Sequence, residues 1–211
     1  MANIFESLFL LALDDEEGSI VESVESSLES ILAGAVLAEL VLQNRFNLTD
    51  SRITVTDQTP TGHRILDKTL QDMIDAGKPR KLKYWFNTLT YKKALDEVGQ
   101  YLVEEGVLIR KKKHLHLVLA YGESPDGSVQ SKYSLKNRLR EIVLAGQPPE
   151  LSEKVLLAFL YHAELLKLVF THGERKAAQK RVKKMVANDD EGSGLGETLD
   201  SILSAACEQD L

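Results

Sequence analysis

The sequence has little of several features that mark particular classes of protein. Its 211 residues include a single cysteine, Cys207, so an internal disulfide cannot form and a disulfide-stapled domain is excluded. The most apolar window, 31–42, is twelve residues long and contains Glu39, whereas a bilayer-crossing helix needs roughly 20 apolar residues. No signal-peptide pattern opens the chain. We therefore expect a cytosolic protein that does not span a membrane.

Sequence patterns for catalysis and for cofactor binding are also missing. There is no nucleophile elbow, and the lone cysteine near the end has no histidine at a useful spacing. The Gly-Ser stretch at 192–196 lacks the preceding strand and the lysine of a phosphate loop. His114 and His116 have no third ligand at metal-binding spacing. The sequence therefore predicts a protein that is not an enzyme and has no metal site or cofactor.

Charge is distributed unevenly along the chain. The net charge is −6, but residues 1–50 hold ten acids and one base, and residues 189–211 hold seven acids and no base. The middle, 51–188, carries 25 bases against 15 acids and is therefore net +10. Because salt limits the reach of each charge to about 8–10 Å, a basic patch attracts anionic lipid or nucleic acid even on an acidic protein. Solvated helix faces are the alternative interpretation.

The hydrophobic pattern predicts a mainly α fold, with a helical bundle core, surrounding amphipathic helices and a protruding β-hairpin. Apolar residues spaced three and four apart are typical of helices, and alternation at 52–56 indicates a strand. The Ser-Pro-Asp-Gly turn at 124–127 places a hairpin region at 107–133. The predicted helices span 20–42, 65–76, 83–89, 91–105, 135–144, 151–170, 174–187 and 199–207.

We expect one domain at 1–188, followed by an acidic C-terminal extension at 189–211 that carries a short helix. The short apolar run at 5–13 is predicted to dock on the core. In the second half of the long helix, Gly34, Ala35 and Ala38 are small enough for a neighbouring helix to approach closely.

Six segments resemble, in order, the Golgi phosphoprotein 3 domain. They are LLALDDEEG at 10–18, AGAVLAELVLQNRF at 33–46, PTGHRILDKTL at 60–70, YLVEEGVL at 101–108, LKNRLREIVLAGQPPE at 135–150 and LLAFLYHAELLKLVF at 156–170. The resemblance covers roughly residues 5–188. The domain begins almost at Met1 without the low-complexity tail of eukaryotic relatives, which favours a prokaryotic stand-alone member.

The resemblance implies a binding module. Eukaryotic relatives bind phosphatidylinositol 4-phosphate on Golgi membranes and adapt coat proteins to glycosyltransferase tails. Their headgroup pocket uses a tryptophan, an arginine and a pair of basic residues, which fall by position at Val24, Ala33, Lys92 and Leu95. Only Lys92 is basic here, and a phosphomonoester needs several converging donors. Specific phosphoinositide recognition is therefore in question.

Two groups of residues are the candidate sites. The lipid-headgroup candidates are Lys92, Lys93, Arg138 and Arg140. The second group, in the hairpin, comprises Arg110, Lys111, Lys112, Lys113, Leu115, Leu117, Val118, Leu119 and Tyr121. Bases beside an apolar strand suit an anionic membrane surface. They equally suit homo-oligomerisation through the hairpin, or an edge strand that its lysines protect from aggregation.

Three kinds of partner follow from these candidates. An anionic lipid headgroup or membrane surface fits the basic residues, so the protein is expected in the cytoplasm and peripheral at a membrane. A protein tail is the second partner, which the resemblance implies. The alternative is winged-helix-like nucleic-acid binding, because 89–121 has the order helix, strand, basic wing, strand. The acidic total charge makes nucleic acid the weaker choice.

Overall fold

The computed structural model describes residues 3–14, 19–91, 93–113, 116–121, 132–187 and 194–207. It confirms the predicted mainly α fold. The helices are α1 Ile4–Ala12, α2 Glu22–Leu42, α3 Arg64–Asp75, α4 Leu82–Tyr91, α5 Ala94–Glu104, α6 Lys132–Arg140, α7 Leu151–His162, α8 His172–Ala187 and α9 Gly194–Cys207. The strands are β1 Phe46–Thr49, β2 Arg52–Val55, β3 Arg80–Lys81, β4 Leu108–Lys113 and β5 His116–Tyr121. Among the described helices, none combines the length and apolar character needed to traverse a bilayer.

Helix α2 is the centre of the bundle. It contacts α1, α4, α5, α7 and α9, and residues 31–41 are buried without interruption. A helical stretch that is apolar on nearly every side is typical of a helix buried in a core. The apolar run predicted to dock on this core forms α1, all of whose nine residues are buried.

The small residues of α2 allow the close approach that the sequence predicts. A Cβ atom built on Gly34 would lie 2.6 Å from the Cβ of Ala206 on α9 and 3.2 Å from Cε1 of Phe159 on α7. The first distance is shorter than two carbon atoms tolerate. Gly34 therefore sets how closely α9 packs on α2.

A small antiparallel sheet has the strand order β1-β2-β3. Strand β2 confirms the prediction at 52–56, whereas β1 was not predicted. Strands β1 and β2 are joined by Asp50 and Ser51, which both have positive φ, at 50° and 57°. Two such residues form the tight turn whose twist matches that of a hairpin.

The second sheet is a two-stranded ribbon of β4 and β5, within the predicted hairpin region. Helix α5 ends where predicted, because Gly106 adopts φ 72° and the Val107 N–H donates to the Leu102 carbonyl. Leu108 is buried where the ribbon leaves the bundle. Residues 114–115 and the turn predicted at 124–127 lie outside the described residues.

The late helices differ from the prediction in one respect. The single helix predicted at 151–170 is wrong, because α7 ends at His162 and Glu164 has φ 57°. A helix cannot continue through a left-handed residue, so a short 3₁₀ turn at Leu165–Leu168 follows. Before α7, a π-helical turn at Glu141–Ala145 extends α6 and ends at Gly146, with φ 79°.

The C-terminal helix α9 is part of the core. Its Leu199, Ile202, Leu203 and Ala206 are buried, and it packs against α2, α4, α7 and β1. The acidic extension predicted at 189–211 thus contributes its helix to the same hydrophobic core as residues 4–187.

Candidate functional site

The junction between α4 and α5 holds the first pair of predicted lipid-headgroup residues. Lys92 lies outside the described residues. Lys93 is left-handed, with φ 57°, and its side chain is 76% exposed. Its Nζ lies 3.8 Å from the nearer Asp96 carboxylate oxygen, at the limit of an ion pair. Lys93 is therefore a solvated cation that could meet a partner.

The N-terminus of α5, which follows this junction, is capped by a carboxylate of the chain itself. The Leu95 N–H donates to Oε2 of Glu29 at 3.2 Å. Burial raises the pKa of Glu29 despite this hydrogen bond and a second one from the Ala94 backbone. Positions 24 and 33, which correspond to the relatives' pocket, are fully buried Val24 and Ala33. An incoming phosphate would meet a carboxylate here, and like charges repel.

Arg138 lies on α6 and pairs with α7. Its Nε and one terminal nitrogen bind the two oxygens of Glu153 at 2.8 and 2.9 Å, and the same terminal nitrogen donates to the Pro148 carbonyl at 3.0 Å. The Glu153 side chain is 4% exposed. Burial opposes its ionisation, but Arg138 and the Glu150 N–H hold its pKa below the ordinary value. This bidentate pair fastens α6 to α7.

Arg140 makes the corresponding pair with α8. Its two terminal nitrogens bind the two Glu174 oxygens at 2.6 and 2.5 Å. Hydrogen bonds from Arg140, and then from Thr171, lower the pKa of Glu174 to about 2. Arg138 and Arg140 therefore each hold a carboxylate of this chain, while their predicted part in lipid binding stays a prediction.

The β4–β5 ribbon contains the second group of candidates. Its backbone register shows which residue of one strand lies opposite which residue of the other. Arg110 lies opposite Leu119, Lys111 opposite Val118, Lys112 opposite Leu117 and Lys113 opposite His116. Leu108 pairs with Tyr121 at the base. Leu115 lies outside the described residues. Four consecutive bases thus run along one strand, and the apolar residues follow the other.

Helix α8 was not among the predicted sites, although its composition is unusual. Its 16 residues contain six bases and one acid, Glu174. Two of the bases are held internally: Arg175 Nε donates to the Phe170 carbonyl, and Arg181 to the carbonyls of Val143 and Leu144. The other four are Lys176, Lys180, Lys183 and Lys184, all exposed. The signal that would have found them is this excess of bases within one helical pattern.

The PTGH segment, by contrast, is part of the interior. The Nδ1 of His63 accepts the Ile65 N–H and begins α3, which leaves Nε2 to carry the hydrogen toward Oε1 of Glu6, 3.1 Å away. The His63 ring also packs on Tyr101, with centroids 4.4 Å apart. This motif joins α1, α3 and α5 and has a packing role.

A cavity of about 700 Å³ lies between α1, α3 and α5. Its apolar lining consists of Phe9, Leu13, Ile20, Ile65 and Leu95. Its charged lining includes the ion pairs Arg64–Glu104 and Lys68–Glu97 together with Asp96. Three acids against two bases give this cavity a negative balance, which does not favour an anionic headgroup.

The amino-acid sequence matches the model of a known protein family. The family model described as Golgi phosphoprotein 3 (GPP34) matches residues 4–206, nearly the entire chain. The match confirms the resemblance found in the sequence and extends it past residue 188 to include α9. It gives no support to nucleic-acid binding, although α5 and the ribbon do have the helix–strand–strand order on which that alternative depended.

Proposed function

The chain belongs to the Golgi phosphoprotein 3 family, and on this premise we propose that it is a non-catalytic peripheral membrane or adaptor protein. It binds the anionic surface of a bilayer by charge, and its selectivity for particular headgroups is low. A protein tail is its second class of partner. The resemblance implies this class, because eukaryotic relatives adapt coat proteins to glycosyltransferase tails.

The observation that carries the proposal is the β4–β5 ribbon. Within the described chain this ribbon pairs with no third strand, so its two outer edges lie outside the main sheet. Four consecutive bases in β4 run beside the apolar sequence of β5. Such a unit suits a membrane surface, where each Lys or Arg contributes about 1 kcal/mol of attraction to anionic lipid. The apolar strand adds contacts at the depth of the headgroups.

Low headgroup selectivity is expected because most of the cationic side chains of the relatives' pocket are missing near the N-terminus of α5. A phosphomonoester needs converging cationic donors, and Val24, Ala33 and Leu95 supply none of them. The Glu29 carboxylate already accepts the Leu95 N–H at this helix terminus. Charge density of the bilayer, more than the identity of its headgroup, is therefore expected to determine binding.

The test is co-sedimentation of the full chain with three kinds of liposome at low and high salt. One kind is neutral, one contains phosphatidylglycerol and one contains phosphatidylinositol 4-phosphate at matched surface charge. The ribbon variant Lys111→Ala/Lys112→Ala/Lys113→Ala is compared with a control that removes three charges elsewhere, at the exposed Lys78, Lys81 and Lys83.

The proposal expects salt-sensitive binding to both anionic liposomes, at least tenfold weaker for the ribbon variant than for the control. If the wild-type protein binds none of the three liposomes, the proposal is overturned. A strong preference for phosphatidylinositol 4-phosphate at matched charge would contradict the expected low selectivity and would indicate a specific headgroup pocket.

The ribbon also suits self-association. An unpaired strand edge is a template for another strand, and the lysines of β4 keep such pairing weak by repulsion. We therefore expect any homo-oligomer formed through the hairpin to be favoured by high salt, the condition that weakens liposome binding. Sedimentation velocity at the two salt concentrations measures it, and a salt-independent mass would contradict it.

A further inference from the structure

The exposed side of α8 forms a second cationic surface, separate from the ribbon. At about 100° per residue, Lys176, Lys180, Lys183 and Lys184 fall within roughly one third of the helix circumference. The buried residues of the same helix are Ala178 and Val182, which lie on the opposite side. The helix thus presents one lysine face to solvent, which we call the α8 lysine face.

The α8 lysine face is unpaired in the described part of the chain. None of its four ammonium groups forms an ion pair or a hydrogen bond with another described residue. The arginines of the region are used differently, since Arg140 binds Glu174 and Arg181 binds the carbonyls that end the π-helical turn. Internal contacts therefore hold the helix in place, and the lysines keep their charge for a partner.

We propose that the α8 lysine face contacts the anionic surface of a lipid bilayer, with the helix lying parallel to it. This inference rests on the membrane binding proposed above and names a second surface for it. Lysine ammonium groups are hydrated point charges that suit the diffuse field of a charged bilayer, whereas bidentate phosphate recognition is the work of arginine.

The composition of the face favours a bilayer over nucleic acid. Its four positions are all lysine, so it has no aromatic side chain on which a base could stack and no arginine to bind a phosphate with two nitrogens. It also lacks a large apolar residue among the four lysines, so the contact is superficial and does not insert into the acyl region. Binding through α8 should therefore disappear at high salt.

The experiment uses three variants of the full chain, each of which removes three positive charges. They are the α8 variant Lys176→Ala/Lys180→Ala/Lys183→Ala, the ribbon variant and the control variant at Lys78, Lys81 and Lys83. Binding to phosphatidylglycerol vesicles, to neutral vesicles and to duplex DNA is measured at low salt, and circular dichroism checks that each variant is folded. An added variant with Lys→Arg at the three α8 positions keeps the charge.

The expected result is a fall in the partition coefficient of at least tenfold for the α8 variant, less than threefold for the control, and wild-type binding for the Lys→Arg variant. If wild type binds and the α8 variant matches the control, the α8 inference is overturned and the proposed function stands. If wild type binds no vesicle, both are overturned. If the α8 variant binds vesicles as the wild type does but no longer binds duplex DNA, the face is a nucleic-acid surface and the α8 inference is overturned.

Discussion

Helices α2 and α8 are both long, at 21 and 16 residues, and they meet their surroundings in opposite ways. Residues 31–41 of α2 are buried on every side, whereas α8 buries only Ala178 and Val182. In α2 the fit of neighbouring atoms determines what a substitution does. In α8 one narrow side is held, by the buried Ala178 and Val182 and by the hydrogen bonds of Arg181, and the opposite side is exposed to solvent.

The largest difference between the two helices is expected when a glycine is replaced by alanine. Each helix contains one glycine, and the effect of the added methyl group on stability depends on the space around it. Gly34→Ala places a methyl group 2.6 Å from the Ala206 Cβ, and such overpacking costs about 1–3 kcal/mol of unfolding free energy. The better helix propensity of alanine offsets about 1 kcal/mol of that cost. At Gly173 in α8 the added Cβ meets no atom within 4 Å beyond its chain neighbours and the backbone of its own helix, so the same change should be neutral or mildly stabilising.

Urea unfolding of the two variants measures this difference directly. Adding Ala206→Gly to Gly34→Ala removes the clashing methyl and should restore part of the lost stability. Equal stability of Gly34→Ala and Gly173→Ala would mean that α9 does not pack against Gly34 as described, and the contrast between the helices would fail.

A smaller difference is expected in how the two helices respond to acid. The pKa of Glu174, at the start of α8, lies at about 2, below its ordinary value of 4.5, because Arg140 holds the ionised form. Its contribution to stability is therefore complete above pH 4.5 and is lost as the pH falls toward 2. Wild type should lose its advantage over Glu174→Gln in that window, as measured by unfolding at a series of pH values.

Glu39 in α2 should show the opposite sign. Burial raises its pKa above 4.5, even though it accepts the Ile4 N–H at 3.0 Å. Its protonated form is therefore the one that suits the fold, so the contribution is complete below pH 4.5 and is lost as the pH rises through the raised pKa. Relative to Glu39→Gln, wild type should gain stability on acidification toward 4.5. If the stability of wild type relative to each Gln variant changes with pH in the same direction for Glu39 and Glu174, then burial and ion pairing do not shift the two pKa values in opposite directions.

The sequence predicts α2 more accurately than the segments around α8. The predicted 20–42 helix matches Glu22–Leu42, because its apolar spacing continues through all 21 residues and no proline interrupts it. The helix predicted at 151–170 fails at Glu164, where neither glycine nor proline announces the left-handed backbone. Strand β1 was missed, although Asp50 and Ser51 are residues that a tight turn accepts.

The candidate site shows the same limit. The charge of Arg138 and Arg140 makes them candidates in the sequence, but their carboxylate partners lie 15 and 34 residues away in the chain. Sequence spacing cannot reveal such pairs, since they depend on how α6, α7 and α8 pack. The α8 lysine face was within reach, because the helical spacing of its lysines opposite Ala178 and Val182 is visible in the sequence.

The smallest effect on stability is expected from the α8 lysines themselves. Exposed substitutions away from special contacts usually change the unfolding free energy by less than about 0.5 kcal/mol. Lys176→Ala, Lys180→Ala and Lys183→Ala should each fall in that range, because none of these side chains pairs with a described residue. Val182→Ala on the buried side of the same helix should cost about 2 kcal/mol, since it removes buried methyl groups. Comparable losses from the lysine and valine variants in urea unfolding would mean that the lysine face packs against other parts of the chain, and its charge would then not be free for a membrane.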